Sequence, residues 1–283
     1  MTLTSILDTR YRGLILIVLP AAIASAQLTL MLRTPGAGDF IVINLLAWIC
    51  AGYLWIDQLE KTNPPAWART APLALVPLCW SLLVISRPFT LYDSLLNAVP
   101  LATLVGLGLI LPATQKLRWS LVLVGLLPFF HYALLLLVPL DPLSKSTASL
   151  SASILWLGGL KAFSIDNLIW IDGNSLLVAG RCTALNAISL SLASVLALLL
   201  LNGPLSPRRG LVLLLAAPTL AIAVNAVRIA LLGVTSLGVA PASLAKSPTF
   251  IFWHTGDGAT LFGLLTVMLV FGLEHLLRRA VFE

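Results

Sequence analysis

A cysteine attacks a carbonyl only as its thiolate, and a free thiol has a pKa of about 8.5. Cys182, in "V-A-G-R-C-T-A-L-N", is the one cysteine of three with polar neighbours. Arg181 beside it and a helix start expected beneath it would both favour the thiolate. The competing reading is a small residue tolerated where a helix enters a membrane. Cys50 and Cys79 lie inside apolar runs and read as small buried hydrophobes. "V-N-A-V-R-I-A" sets Asn225 and Arg228 three apart, on one face of a helix. There the arginine either lines a pocket, where its permanent charge can stabilise an oxyanion, or snorkels to the interface while Asn225 joins two helices. "H-T-G-D-G-A-T-L-F" puts His254 and Asp257 ahead of another apolar run. An imidazole there can take the thiol proton and later return it, or stand at the interface with no catalytic duty. Asp257 either orients that ring or caps the helix, and Gly258 lets another backbone come close. His131, in mid-run, reads as a hydrogen-bonded packing residue, and His275 lies at the far end of the last run. No C-x-x-C pair or cysteine/histidine cluster suggests a metal, and no cofactor is expected.

The elements that must carry these groups are set by composition. The chain is 59% hydrophobic and 10% charged over 283 residues, so the bilayer is its expected solvent. Apolar runs lie near 13–32, 39–57, 70–86, 93–112, 118–139, 183–202, 210–232 and 258–277. Each approaches the roughly 20 residues needed to span a bilayer, and each must be helical because lipid offers no hydrogen-bond partner. "A-I-A-S-A-Q" resembles a signal-peptidase site, but its apolar run continues to about Leu32, long enough to span, and a retained helix is expected. The expected fold is an all-α integral membrane protein of about eight transmembrane helices with a short β-hairpin in an extracytoplasmic loop. It forms a single polytopic domain over 1–283: a five-helix part to 139, a loop over 140–181, and a three-helix part from 182.

Lysines and arginines orient it. Alternate connections hold Arg10, Arg12, Lys61, Arg69, Lys116, Arg118, Arg208, Arg209, Arg278 and Arg279 on one side, and Arg33, Arg87 and Lys246 on the other. That asymmetry puts both termini in the cytoplasm and turns the 140–181 and 233–257 loops outward. Cys182, Arg228 and His254 then share the outer face, with Arg228 within about a turn of a helix end. "L-I-W-I-D-G-N-S-L-L-V" predicts a hairpin around Asp172-Gly173-Asn174, because Asp-Gly tolerates the positive φ of a tight turn. "S-I-L-W-L-G-G-L-K-A-F" suggests an interfacial helix, and "F-I-F-W-H" an aromatic belt with Trp253 at headgroup depth and His254 facing water.

Three motifs together resemble the exosortase/archaeosortase family of membrane-embedded cysteine transpeptidases. They are Cys182 opening a helix after an outer hairpin, Asn-x-x-Arg-Ile (Asn225, Arg228, Ile229), and His-x-x-x-Gly-x-x-x-Phe (His254, Gly258, Phe262). The likeness covers about 165–270 and departs in one place, where Thr183-Ala184 replaces the Ser-Gly usual after the cysteine. The resemblance implies cleavage of exported proteins that end in a sorting signal of short motif, transmembrane helix and basic tail. The acyl product would pass to an acceptor nucleophile in the cell envelope. It implies Cys182 as nucleophile, His254 as proton carrier and Arg228 as oxyanion stabiliser, with Asn225, Arg181, Asp257 and Gly258 in support. The bilayer is the other partner, and no nucleic acid is expected. If the hairpin grips the motif as an added strand, proline within 168–171 should weaken processing while leaving the fold intact. The rival readings are a transporter and a non-catalytic component of an envelope polysaccharide or export assembly. Against transport stand the absence of a paired repeat and of acidic residues in the spans.

Overall fold

Apolar helices that need no water for their backbones dominate the computed structural model, which describes residues 18, 20–33, 40–61, 92–110, 114–237 and 247–279. The run expected at 70–86, with Cys79, and the basic residues Arg10, Arg12, Arg69, Arg87 and Lys246 lie outside the described residues. The chain divides into two compact units, Met1–Phe129 and Phe130–Glu283.

In the first unit the described helices are α1 (20–33), α2 (Ile41–Lys61), α3 (Tyr92–Ile110) and α4 (Gln115–Leu126). A buried polar lock joins three of them. Gln27 Nε2 donates to Asn44 Oδ1 at 2.8 Å and to the Leu96 carbonyl at 2.6 Å. Asn44 Nδ2 donates to Asn97 Oδ1 at 2.7 Å, and Trp48 Nε1 to Gln27 Oε1 at 2.5 Å. Gln27, Asn44 and Asn97 are fully buried, so these amides satisfy one another where neither water nor lipid can.

The second unit begins with α5 (Phe130–Leu137), and Gln115–Leu137 forms one apolar helical run with a 3-10 turn at Leu127–Phe129, where Pro128 removes a backbone donor. Then come α6 (Leu140–Leu157), strands β1 (Ala162–Ile165), β2 (Leu168–Ile171) and β3 (Asn174–Leu177), and helices α7 (Leu185–Asn202), α8 (Pro207–Thr235), α9 (Pro248–His254) and α10 (Asp257–Arg279). Among the described residues four runs are long and apolar enough to cross a bilayer: Gln115–Leu137, Leu185–Asn202, Pro207–Thr235 and Pro248–Arg279. Leu211, Leu214 and Leu215 on α8 and Leu261, Leu265 and Met268 on α10 are exposed, as helices facing lipid require. Buried serines on α7 turn inward on their own helix, Ser189 and Ser194 donating to the carbonyls of Leu185 and Leu190.

The 140–181 segment is more ordered than a loop with one hairpin. Leu140–Leu157 is an 18-residue helix, so "S-I-L-W-L" is its last turns, and the helix stops at Gly158. "K-A-F" passes into a strand that the alternation did not suggest. The sheet has the order β1-β2-β3, both pairs antiparallel. Asp172 and Gly173 both have positive φ, 44° and 88°, as the tight turn between β2 and β3 requires. Because β2 is the central strand, proline within 168–171 would break ladders on both sides. Such variants would lose the sheet rather than stay folded, contrary to the expectation from sequence.

One face of the sheet is buried through Ile169, Ile171 and Leu176, which pack with Leu155 of α6 and Ile229 and Leu232 of α8. Gly233 makes that approach possible, since a Cβ there would lie 2.6 Å from Ile171 Cδ1. Lys145 straps α6 to the β1–β2 turn, 3.0 Å from Asp141 and 3.3 Å from Asp166. Hydrogen bonding to Asp141, and then to Asp166, raises its pKa above the ordinary lysine value.

Candidate active site

Cys182 does not open a helix. It closes a 3-10 turn, Gly180–Cys182, and α7 begins at Leu185. The turn exists because Gly180 takes a φ of 51°, which costs a residue without a Cβ little, and because two amides fold back on it. Cys182 N donates to the Ala179 carbonyl at 3.0 Å and Thr183 N to the Gly180 carbonyl at 3.1 Å. The Thr183 hydroxyl adds a bond to the same Gly180 carbonyl at 2.8 Å. A hydroxyl is therefore supplied after the cysteine despite the change from serine. Ala184 has φ −69°, a conformation any residue adopts, so glycine is not needed there.

Arg228 sits deeper than its sequence suggested. α8 continues to Thr235, which leaves Arg228 about two turns inside the helix rather than one. It is 8% exposed, Cys182 6% and Asn225 3%, so all three polar groups are nearly dry. A buried charge and a buried amide must find partners, and here they find each other and three backbone carbonyls. Asn225 Nδ2 donates to the Cys182 carbonyl at 3.1 Å. Arg228 Nη1 donates to Asn225 Oδ1 at 3.3 Å, Nε to the Trp253 carbonyl at 3.1 Å, and Nη2 to the His254 carbonyl at 2.5 Å. The relay joins the cysteine turn, α8 and the end of α9, which are far apart in sequence. The carbonyls of Trp253 and His254 belong to the C-terminal turn of α9, where a cation is favoured.

The segment around His254 is a helix with its own packing. Its imidazole stacks on Phe250, ring centroids 5.2 Å apart. Trp253 is half-buried against the core that holds Cys182, not displayed at a surface, and meets Phe262 edge-on at 5.9 Å. Gly258 is obligatory for this arrangement: a Cβ there would stand 2.5 Å from Trp253 Cε3 and 2.9 Å from the Phe252 carbonyl oxygen. The two spaced motifs thus acquire physical meaning. Asn225, Arg228 and Ile229 face the cysteine turn, the last through the apolar core; His254, Gly258 and Phe262 fix the helix that Arg228 holds.

Other candidates fall elsewhere. Asp257 is exposed and is the first residue of α10, so its charge favours that helix start. Among the described residues its carboxylate makes no hydrogen bond, to the His254 ring or as a cap. Arg181 belongs to the cysteine turn, with its side chain outside the described residues. His131 packs edge-on with Tyr132, and His275 is exposed on α10. Trp253, which the sequence suggests as an interface marker, instead lends its carbonyl to Arg228; its place one residue before His254 is the available signal.

The expectation that the spans hold no acid fails at Glu274, which lies within the last run and is 3% exposed. It pairs with Arg278, accepts from Asn202 Nδ2 at 3.3 Å, and Arg278 Nη2 in turn donates to the Gly203 carbonyl at 2.7 Å. This cluster ties α10 to the end of α7, the reading of a structural clamp.

A family model described as transmembrane exosortase matches residues 39–271. No curated protein and no solved structure matches the chain.

Proposed function

Since the chain belongs to the transmembrane exosortase family and is an integral membrane protein, we propose that it is a cysteine transpeptidase. Its substrates would be exported proteins ending in a short motif, a transmembrane helix and a basic tail. The observation that carries this reading is the buried relay from the Cys182 carbonyl through Asn225 and Arg228 to the carbonyls of Trp253 and His254. It gives a thiol, a guanidinium and an imidazole-bearing turn one shared scaffold.

The reaction runs in two halves. His254 takes the Cys182 proton, and the thiolate adds to the scissile carbonyl. The fixed charge of Arg228, in a site with little water, favours both the thiolate and the tetrahedral oxyanion. The C–N bond then breaks, the amine of the sorting helix leaves with the proton from His254, and a thioester remains on Cys182. An acceptor amine or hydroxyl attacks the thioester, gives its proton to His254, and releases the acyl product; the proton returns to sulfur. Substrate held as one more helix in the bilayer would present its motif at constant depth, which lowers the entropic cost of reaction. The asymmetry of basic residues supports an inner-membrane protein with cytoplasmic termini and an extracytoplasmic site.

Mass spectrometry of an exported sorting-signal reporter, co-expressed with the protein or with Cys182→Ala, tests the reading. The wild type should yield the cleaved reporter or a thioester on Cys182, and the variant neither. Cleavage undiminished in Cys182→Ala would point to a different function, with transport the first alternative.

A further inference from the structure

A three-stranded sheet has two outer edges, and only one leads to the cysteine. β3 (Asn174–Leu177) continues as extended backbone: Val178 N donates to the Asn167 carbonyl at 2.8 Å, and Ala179 has φ −147° and ψ 160°. Three residues later stands Cys182. The register states which backbone groups of β3 are in use. The two-residue turn makes Ile171 and Asn174 a hydrogen-bonded pair, and antiparallel ladders alternate, so Leu176 and Val178 also point their N–H and C=O groups at β2. Those of Ser175 and Leu177 point the other way. Among the described residues nothing bonds them on that side.

The two edges are treated differently. β1 has α6 beside it, helix and strand lining a shared cavity of about 170 Å³ through Ser149, Ser153, Ala162 and Ser164. Proteins cover sheet edges, or blunt them with charge, proline or a bulge, because an open strand recruits another. β3 has none of these devices: its sequence from 174 to 179 is Asn-Ser-Leu-Leu-Val-Ala, and Ser175, Leu177 and Ala179 are exposed. Among the described residues it is an uncharged edge, open along its length and covalently continuous with the cysteine turn.

We infer that the outer edge of β3 is the peptide-binding rail of the enzyme: the short motif of the sorting signal pairs with Ser175 and Leu177 as a fourth strand, which lays the bond to be cut beside Cys182. This rests on the transpeptidase reading above. Main-chain pairing supplies hold without regard to sequence, and side chains at alternate positions supply selectivity. A motif residue opposite Leu177 extends an apolar row of exposed Ile165 and Leu177 with half-buried Leu168 between them, and so is expected to be apolar.

Proline is the sharpest probe, since at 175 or 177 it removes an outward N–H and leaves the β2 ladder whole. Ser175→Pro and Leu177→Pro should each slow cleavage of the co-expressed sorting-signal reporter by roughly tenfold, the scale of a lost main-chain bond plus a blocked approach. Ser164→Pro places the same lesion on the outer edge of β1 and should cleave as wild type does. Loss confined to the β3 variants supports the rail; unimpaired cleavage by them, or equal loss in Ser164→Pro, overturns it. Should the β3 variants fail to accumulate, disulfide trapping decides. In a Cys182→Ala background, Ser175→Cys and Leu177→Cys should cross-link to single cysteines at alternate motif positions, shifted by two between the variants. No cross-link, or one without alternation, rejects the rail. The arm comparing wild type with Cys182→Ala reports separately on the transpeptidase reading, so the two can fail independently.

Discussion

Arg228 illustrates why a guanidinium, and not an ammonium, occupies this buried place two turns inside α8. Its Nε and Nη2 reach two successive carbonyls, of Trp253 and His254, while Nη1 reaches Asn225. A lysine keeps the charge but has no planar fork to span such a pair. Arg228→Lys should therefore lower reporter cleavage by about tenfold to a hundredfold, because buried carbonyls lose their donors. A variant that processes the reporter at the wild-type rate would show that charge alone suffices. Gly258 carries a different constraint, one of space. In Gly258→Ala the new methyl meets the Trp253 ring and the Phe252 carbonyl, and backbone cannot move aside cheaply. The expected result is a displaced α9, seen as a shift in tryptophan emission together with at least about a tenfold loss of cleavage, as overpacking costs of roughly 1–3 kcal/mol imply.

At the scale of elements, polar side chains do the joining that apolar surface cannot do in lipid. The Gln27–Asn44–Asn97 lock draws on α1, α2 and α3, and Asn44 is its central member, both accepting and donating. Asn44→Ala takes one acceptor from Gln27 Nε2 and one donor from Asn97 Oδ1, at a cost of about 1–3 kcal/mol. A lower melting temperature of the purified protein in detergent is the expected outcome; an unchanged one would mean that other groups satisfy Gln27 and Asn97. The sheet depends on Gly233 as much as on its own strands, because α8 admits Ile171 only where a side chain is missing. That contact sets the sheet against α8, the helix whose Asn225 holds the cysteine turn.

For the whole molecule, the distribution of Lys and Arg predicts which end of the second unit meets the outside. Ser175, on the sheet, and Arg209, at the start of α8, should lie on opposite sides of the membrane. A membrane-impermeant maleimide added to intact cells should label Ser175→Cys and should reach Arg209→Cys only after permeabilisation. The reverse pattern would invert the topology and remove the site from the compartment where exported proteins are processed.

Sequence alone determined the class of molecule and named the candidates for its site. Apolar runs demand helices in lipid, and Asp172-Gly173 demands a turn, because both follow from local backbone chemistry. The cysteine, the Asn-x-x-Arg pair and the spaced histidine, glycine and phenylalanine were legible by type and order. What local chemistry does not carry is which groups meet. Ala162–Ile165 joined the sheet only through its partner strand, and Leu140–Leu157 became a helix despite its many serines. The link between Arg228 and two carbonyls needed α8 and α9 already packed. Backbone acceptors have no signature in a sequence, since every residue carries one, and only tertiary structure selects those that a buried cation will hold.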